Sequence, residues 1–185
     1  MKKIGIIVGS LREQSFNRIV AEAIPELAPG AEYAFISIAE LPLYNGDLDK
    51  GPGPEPVRQF REAIAQADGI VIVSPEYNSG IPGVLKNALD WASTPTKTAA
   101  LLRKPACVIG ATPGAKGTMM AQQQIRQTLE AVQVFVLPFQ KMYISQVTDK
   151  VDADRRLLTD ETTRSYLQRY AEAFIRWIDQ ASTLN

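Results

Sequence analysis

The stretch that decides the fold lies near the N-terminus, where residues 4–17 read IGIIVGSLREQSFN. Its first five residues form a short apolar run rich in β-branched side chains, which predicts a buried strand. Apolar residues then recur at positions 16, 19, 20, 23, 24 and 27, which is helical spacing. Residues 9–17 are therefore predicted to be the first strand-to-helix turn of an α/β domain.

This turn carries side chains that suit an anion. Ser15 and Asn17 can donate hydrogen bonds, and Arg12 can supply the opposite charge. They lie beside a helix N-terminus, where free N–H groups and the helix dipole favour negative charge. A phosphate is the expected ligand. The alternative is that Ser15 only caps the helix and that Arg12 is solvated, and these residues alone leave both interpretations open.

Strand-like and helix-like segments alternate along the rest of the chain. Further strands are predicted over residues 32–38, 70–74, 106–110 and 134–137, and the last helix carries apolar residues from 167 to 181. Residues 39–56 form a long irregular stretch whose first half is predicted to pack against a ligand or a second subunit, with an ordinary surface loop as the alternative. Residues 138–157 are predicted to be irregular.

This alternation predicts a flavodoxin-like, doubly wound, five-stranded parallel sheet of order 2-1-3-4-5, with helices on both faces, in a single domain over residues 1–185. Ligands of such sheets bind beyond the carboxyl ends of the strands, at the point where the strand order reverses. The loops at residues 9–17, 74–80 and 110–118 are expected to meet there.

Composition excludes several classes of protein. The 185 residues carry a formal net charge of +0, which gives no electrostatic reason to expect nucleic acid or an anionic membrane as the main partner. No apolar run is long enough to span a membrane, and no signal peptide is evident, so we expect a cytoplasmic protein. With no histidine and one cysteine, His-dependent hydrolase and zinc sites and thiolate metal clusters are excluded. Chemistry carried by a bound organic cofactor remains open.

Neither common nucleotide-binding loop is present. No G-x-G-x-x-G follows the first strand, and the loop containing Lys116 lacks the G-K-[ST] ending of a P-loop. The second loop offers Glu76, Tyr77 and Asn78, which suit a planar heteroaromatic ring. Tyr77 is equally consistent with a packing role, and Glu76 has no visible partner that would make it a general base.

Two motifs closely resemble the NADPH-dependent FMN reductase family, and in particular its bacterial quinone and chromate reductases. They read GSLREQSFN over residues 9–17 and PEYNSGIPGVLKNALDW over residues 75–91. The resemblance implies that the first loop wraps the FMN phosphate, the second lies along the isoalloxazine ring, and the third closes the site from the other side. The implied FMN-binding residues are Ser10, Leu11, Arg12, Ser15, Phe16, Asn17, Pro75, Glu76, Tyr77, Asn78, Ser79, Gly110, Ala111 and Thr112.

The resemblance also implies the activity. NADPH or NADH would reduce the flavin, and a small electrophilic acceptor such as a quinone, an azo compound, free flavin or chromate would reoxidise it, with no catalytic side chain and no metal. A homodimer or homotetramer is implied, with Trp91 and Tyr44-Asn45 as candidate contacts. Residues 119–124, MMAQQQ, depart from the arginine and tyrosine that relatives often carry at a subunit contact. The alternatives are a flavodoxin-like electron carrier, which the neutral charge disfavours, and a flavin-based redox sensor.

Overall fold

The computed structural model describes residues 1–51 and 53–184. It contains eight strands within this part of the chain: β1 (Lys2–Val8), β2 (Ala31–Phe35), β3 (Gly69–Val73), β4 (Pro105–Ala111), β5 (Phe135–Val136), β6 (Met142–Ile144), β7 (Val151–Asp152) and β8 (Leu157–Leu158). The α-helices are α1 (Phe16–Leu27), α2 (Glu55–Gln66), α3 (Gly83–Ala92), α4 (Met119–Ala131) and α5 (Glu161–Ser182).

The main sheet has the order β2-β1-β3-β4-β5, and each neighbouring pair is parallel. Its register places Val8 beside Val73, and Val73 beside Ile109. Because β1, β3 and β4 run in the same direction, the loops that follow them leave from one edge of the sheet. The predicted flavodoxin-like, doubly wound fold with order 2-1-3-4-5 is confirmed.

The fifth position of the sheet differs in detail from the prediction, because two short strands share it. β5 pairs with β4 at Ala106, whereas β6, within the stretch predicted to be irregular, pairs with β4 from Ile109 onward. Val108 lies between these pairings, and its carbonyl accepts a hydrogen bond from the Tyr170 hydroxyl at 3.0 Å. A side chain of α5 thus replaces a strand at this point. The same stretch also contains the β7–β8 hairpin.

Successive side chains of the central strands point to opposite faces of the sheet, so the hydrophobic core is divided between these two faces. Val71, Val73 and Cys107 pack on the side of α1 and α5, whereas Ile70 and Ile72 pack on the side of α2, α3 and α4. Cys107 is 1% exposed, so its thiol is buried in the core. Burial also raises the pKa of this thiol, which keeps it protonated.

The long stretch after β2 is held against α2 and α3. The carbonyl of Pro42 accepts hydrogen bonds from the Trp91 indole at 2.7 Å and from the Asn87 amide at 2.9 Å. Tyr44 stacks edge-on against Trp91, with ring centroids 4.9 Å apart. Trp91 is 0% exposed, so its predicted place on a subunit surface is wrong: it packs within its own chain.

Candidate functional site

The loops after β1, β3 and β4 are joined directly by backbone hydrogen bonds at the edge of the sheet. The Gly9 N–H donates to the Val73 carbonyl at 2.8 Å, and the Ser74 N–H donates to the Ile109 carbonyl at 2.9 Å. These bonds continue the parallel pairing by one residue beyond β1 and β3. The three loops predicted to meet, here called the first, second and third loops, therefore begin side by side.

The first loop ends in a helix N-terminus that Ser15 caps. The Ser15 side-chain oxygen accepts from the Arg18 N–H at 3.4 Å, and Ser15 is 3% exposed. Helix geometry leaves the N–H groups of Phe16 and Asn17 without an intrahelical acceptor. Arg12 is exposed, and its backbone N–H donates to the Ser10 hydroxyl oxygen at 3.4 Å. The capping role of Ser15 is thus present, beside donors suited to an anion.

Asn17 ties the first loop to the third. Its amide nitrogen donates to the Ala111 carbonyl at 2.8 Å, and its amide oxygen accepts from the Ala111 N–H at 2.9 Å. Asn17 is 3% exposed, so both bonds are sheltered from water. The Asn17 carboxamide therefore has one N–H left for a ligand, beside the backbone N–H of the same residue.

Glu76 of the second loop caps α4. Its carboxylate accepts from the Met120 N–H at 2.9 Å and from the Ala121 N–H at 3.0 Å. Thr118, the residue before α4, has a φ of 67° and supplies no side-chain cap of its own. A carboxylate at this end also complements the helix dipole. Glu76 is thus a link between the second loop and α4, and not a general base.

Tyr77 is held outward by a tight turn. Tyr77 and Gly80 exchange backbone hydrogen bonds at 3.1 and 3.0 Å, and the two residues between them, Asn78 and Ser79, have φ values of 52° and 59°. Two central residues at positive φ are typical of type I′ turns. Tyr77 is 45% exposed, so its ring is not a core packing residue.

Gln124 supports this turn, and sequence reasoning missed it. Its amide oxygen accepts from the Ile81 N–H at 3.0 Å, and its amide nitrogen donates to the Ser79 carbonyl at 3.4 Å. Gln122, two residues earlier on α4, is buried, and its amide nitrogen donates to the Met142 carbonyl at 2.8 Å. Nothing local in the QQQ run distinguishes these roles, because each partner lies in a distant segment.

The backbone of the third loop packs closely against the second loop, the start of α4 and β6. A Cβ atom added at Gly110 would lie 2.6 Å from the Ser74 carbonyl oxygen and 2.0 Å from the Thr118 hydroxyl, so only glycine fits. The Thr112 N–H donates to the Ile144 carbonyl at 3.0 Å. The loop is therefore fixed on one side by the second loop and on the other by β6.

Acid–base and metal chemistry have little support at this edge. Within residues 1–51 and 53–184, no group of three histidine, cysteine, aspartate or glutamate residues could hold a metal ion. Glu76 is occupied as a helix cap. What the edge offers is a set of hydrogen-bond donors at α1 and an exposed aromatic ring at Tyr77.

Comparison with known proteins identifies the family. The sequence profile of NADPH-dependent FMN reductases matches residues 2–149. The chain belongs to the NADPH-dependent FMN reductase family. The predicted assignment is confirmed, and with it the oxidoreductase class, FMN as cofactor and NAD(P)H as electron donor at the level of the family.

Relatives of this reductase match over nearly their whole length. It is similar to a 2-hydroxy-1,4-benzoquinone reductase from Burkholderia sp, with 41% identity over 177 residues, 95% of this chain and 96% of that protein. An NAD(P)H-dependent FMN reductase from Pseudomonas aeruginosa is 40% identical over 179 residues, 96% of this chain and 95% of that protein. The solved structure of FerB, a flavoenzyme NAD(P)H:(acceptor) oxidoreductase from Paracoccus denitrificans, superposes with a TM-score of 0.89 at 35% identity, covering 98% of this chain and 99% of the other.

The donor set of the reductase fits the FMN phosphate. A phosphate monoester needs several N–H and O–H donors and a positive charge. The N-terminus of α1, the Ser10 hydroxyl and Arg12 supply them.

No α-helix among the described residues is long and apolar enough to cross a membrane.

Proposed function

We propose that this flavin-dependent NAD(P)H oxidoreductase reduces quinones. The observation that supports this proposal most directly is that Asn17 joins the first loop to the third, while Glu76 joins the second loop to α4. These side chains hold the N-terminus of α1, which would bind the phosphate, together with an exposed aromatic ring and a close-packed backbone strip. The likeness to quinone and FMN reductases supports the choice of acceptor. Azo compounds, free flavin and chromate are further acceptors with the same electrophilic character.

Bound FMN would supply the hydride-accepting and electron-donating chemistry, while the protein would provide binding and orientation. Ser10, Arg12, Ser15 and the N–H groups of Phe16 and Asn17 would hold the phosphate, with Leu11 beside them. Because the Asn17 side chain is already bonded to Ala111, its share would come from the backbone N–H and one amide hydrogen.

The ring would lie between the second and third loops. Pro75, Tyr77, Asn78 and Ser79 would contact it from one side, with Glu76 keeping their loop on α4. The backbone of Gly110, Ala111 and Thr112 would approach from the other side. Each residue is thus proposed to bind or position the cofactor, and none to exchange a proton with substrate.

The single domain predicted over residues 1–185, a cytoplasmic location and a homodimer or homotetramer complete the proposal. Exposed apolar side chains near the site support self-association: Leu43 is 84% exposed, and Met119 and Met120 are each 37% exposed. Tyr44, 40% exposed, remains a candidate contact.

The test is steady-state oxidation of NADPH by purified, FMN-loaded protein with and without a benzoquinone. The proposal predicts rapid, quinone-dependent oxidation. Stoichiometric FMN binding without quinone-dependent turnover would instead identify an electron carrier or a flavin sensor. Failure to bind FMN at micromolar concentration would overturn the proposal entirely.

A further inference from the structure

A cavity lies beside the first loop. It has a volume of about 340 Å³, and residues 10–13 form one wall. Its floor consists of Val8 at the end of β1, Phe35 at the end of β2, and residues 36–38 that follow β2. Ser15, Phe16 and Asn17 do not line it, and neither do the second and third loops. The cavity thus shares only Ser10, Leu11 and Arg12 with the proposed FMN site.

Two guanidinium groups face this cavity and share one carboxylate. The Arg18 Nε donates to Glu22 Oε1 at 2.7 Å, and the Arg156 Nη2 donates to both Glu22 oxygens at 3.0 and 3.1 Å. Burial of Glu22 opposes its ionisation, but the hydrogen bonds from the two arginines outweigh this effect and lower the pKa of the carboxyl. With Glu22 ionised, the cluster carries one surplus positive charge beside the cavity, and the formal charges of Arg12 and Glu13, which also line the cavity, cancel each other.

Arg18 is also held in a fixed orientation. Its guanidinium lies over the Phe35 ring, 3.9 Å from the centroid. Its terminal nitrogens have no hydrogen-bond acceptor within the described part of the chain, although Arg18 lines the cavity. A planar cation that is stacked on an aromatic ring can bind a phosphate through its edge and a second aromatic ring through its face. Arg156 comes from the turn between β7 and β8, so a distant segment completes the cluster.

We propose that this cavity binds the 2′-phosphoadenosine end of NADPH, and that Arg18 and Arg156 select NADPH over NADH. The cavity combines an apolar floor and an aromatic wall for a base with paired guanidinium groups for a phosphate monoester. Only NADPH carries that 2′-phosphate. This role rests on the proposed NAD(P)H oxidation, and it differs from that of Arg12, which also lines the cavity and is proposed to bind the FMN phosphate.

The binding test uses adenosine 2′,5′-bisphosphate and 5′-AMP with the FMN-loaded protein in isothermal titration calorimetry. The parent should bind the bisphosphate more tightly than 5′-AMP. Arg18→Gln and Arg156→Gln should each weaken the binding of the bisphosphate by about tenfold or more, since a hydrogen bond to a charged group is lost. Both variants should leave FMN affinity unchanged. Arg176→Gln, an exposed arginine on α5, is the matched control and should change neither affinity. Equal binding of the two nucleotides, or of inorganic phosphate and the bisphosphate, would overturn the proposal.

Glu22→Gln separates recognition from structural support. It frees both arginines from their shared carboxylate, so bisphosphate binding should tighten while the arginine variants weaken it. If all three variants weaken binding in proportion to a loss of thermal stability, the cluster is only structural and the proposal fails.

The kinetic test compares kcat/KM for NADPH and NADH. The ratio should favour NADPH in the parent and should fall by about tenfold in each arginine variant. A ratio that the variants leave unchanged would overturn this inference alone. The absence of any nicotinamide oxidation would refute the proposed function, and the calorimetric comparison would still decide whether the cavity binds the bisphosphate.

Discussion

At the residue scale, Arg12 is an exposed guanidinium in a loop of otherwise neutral donors and one glutamate. If it contacts the FMN phosphate, Arg12→Ala removes a hydrogen bond between charged groups, which is worth roughly 1.5–3 kcal/mol. FMN affinity should then fall by about 10- to 150-fold, measured by quenching of flavin fluorescence.

Riboflavin provides the control for Arg12→Ala, because it has the same ring and no phosphate. Its affinity should be weak in the parent and nearly unchanged in the variant. The loss of FMN affinity should also shrink at high salt, where an exposed charge is screened. Equal losses for the two flavins would show that Arg12 is structural.

Glu76 gives a prediction about stability. Glu76→Ala removes the acceptor for two N–H groups at the first turn of α4. Loss of a helix cap typically costs about 0.5–2 kcal/mol, so the free energy of unfolding in urea should fall by about 1–2 kcal/mol. Glu40→Ala, at an exposed carboxylate in another loop, should leave it nearly unchanged. If Glu76→Ala leaves the free energy of unfolding unchanged, another group must cap α4.

Sequence reasoning assigned both Asn17 and Glu76 to the cofactor, and the structure uses each of them inside the protein. The reason is sequence distance. The partner of Asn17 is 94 residues away, and that of Glu76 is 44 residues away. A carboxamide or carboxylate beside a helix N-terminus looks the same in sequence whether it meets a ligand or another loop.

At the element scale, a partly buried ion pair helps to hold the stretch between β2 and α2 in place. Arg61 of α2 donates to both Asp49 oxygens, at 2.8 and 2.9 Å, and to the Trp91 carbonyl at 2.9 Å. The hydrogen bonds from Arg61 lower the pKa of Asp49 despite the opposing effect of burial. The folded-state pKa of Asp49 thus lies below its unfolded value, so the pair stabilises the fold above about pH 4 and stops doing so as the pH falls through the folded-state pKa.

We therefore expect Asp49→Asn to lower the free energy of unfolding by about 1–2 kcal/mol at pH 7. The difference from the parent should shrink as the pH falls below about 4, when measured by urea unfolding at a series of pH values. Asp47→Asn is the matched control, because Asp47 is 85% exposed and lies 3.5 Å from Lys50. If Asp49→Asn lowers the free energy of unfolding by the same amount at pH 3 and pH 7, the role of the ion pair is contradicted.

Most elements were predictable because their signals are local. The apolar run before Gly9 and the helical spacing after it predicted β1 and α1, and the continuous apolar run of β3 predicted a central strand. The edge of the sheet formed by β5 and β6 was less predictable. β6 has only three residues, and the hydrogen bond from Tyr170 to the Val108 carbonyl comes from a segment far away in the sequence. The packing of Trp91 also depends on a long-range hydrogen bond that no local pattern reveals.

At the scale of the whole molecule, the exposed face beside Tyr77 is expected to serve the donor and the acceptor in turn. The reaction should then follow ping-pong kinetics, with parallel double-reciprocal lines when NADPH and quinone are varied. High quinone concentrations should inhibit competitively with NADPH, because both occupy the same face. Intersecting lines would show a ternary complex and contradict the shared site.

The burial of Cys107 has a consequence for an enzyme proposed to handle quinones. Quinones arylate thiolates, and the thiolate is the reactive form of cysteine. The only cysteine of the chain is 1% exposed and has a raised pKa, and the chain has no histidine. The enzyme is thus shielded from alkylation at sulfur by its own substrate, and a cysteine introduced at the surface would be the single site for a fluorophore or spin label.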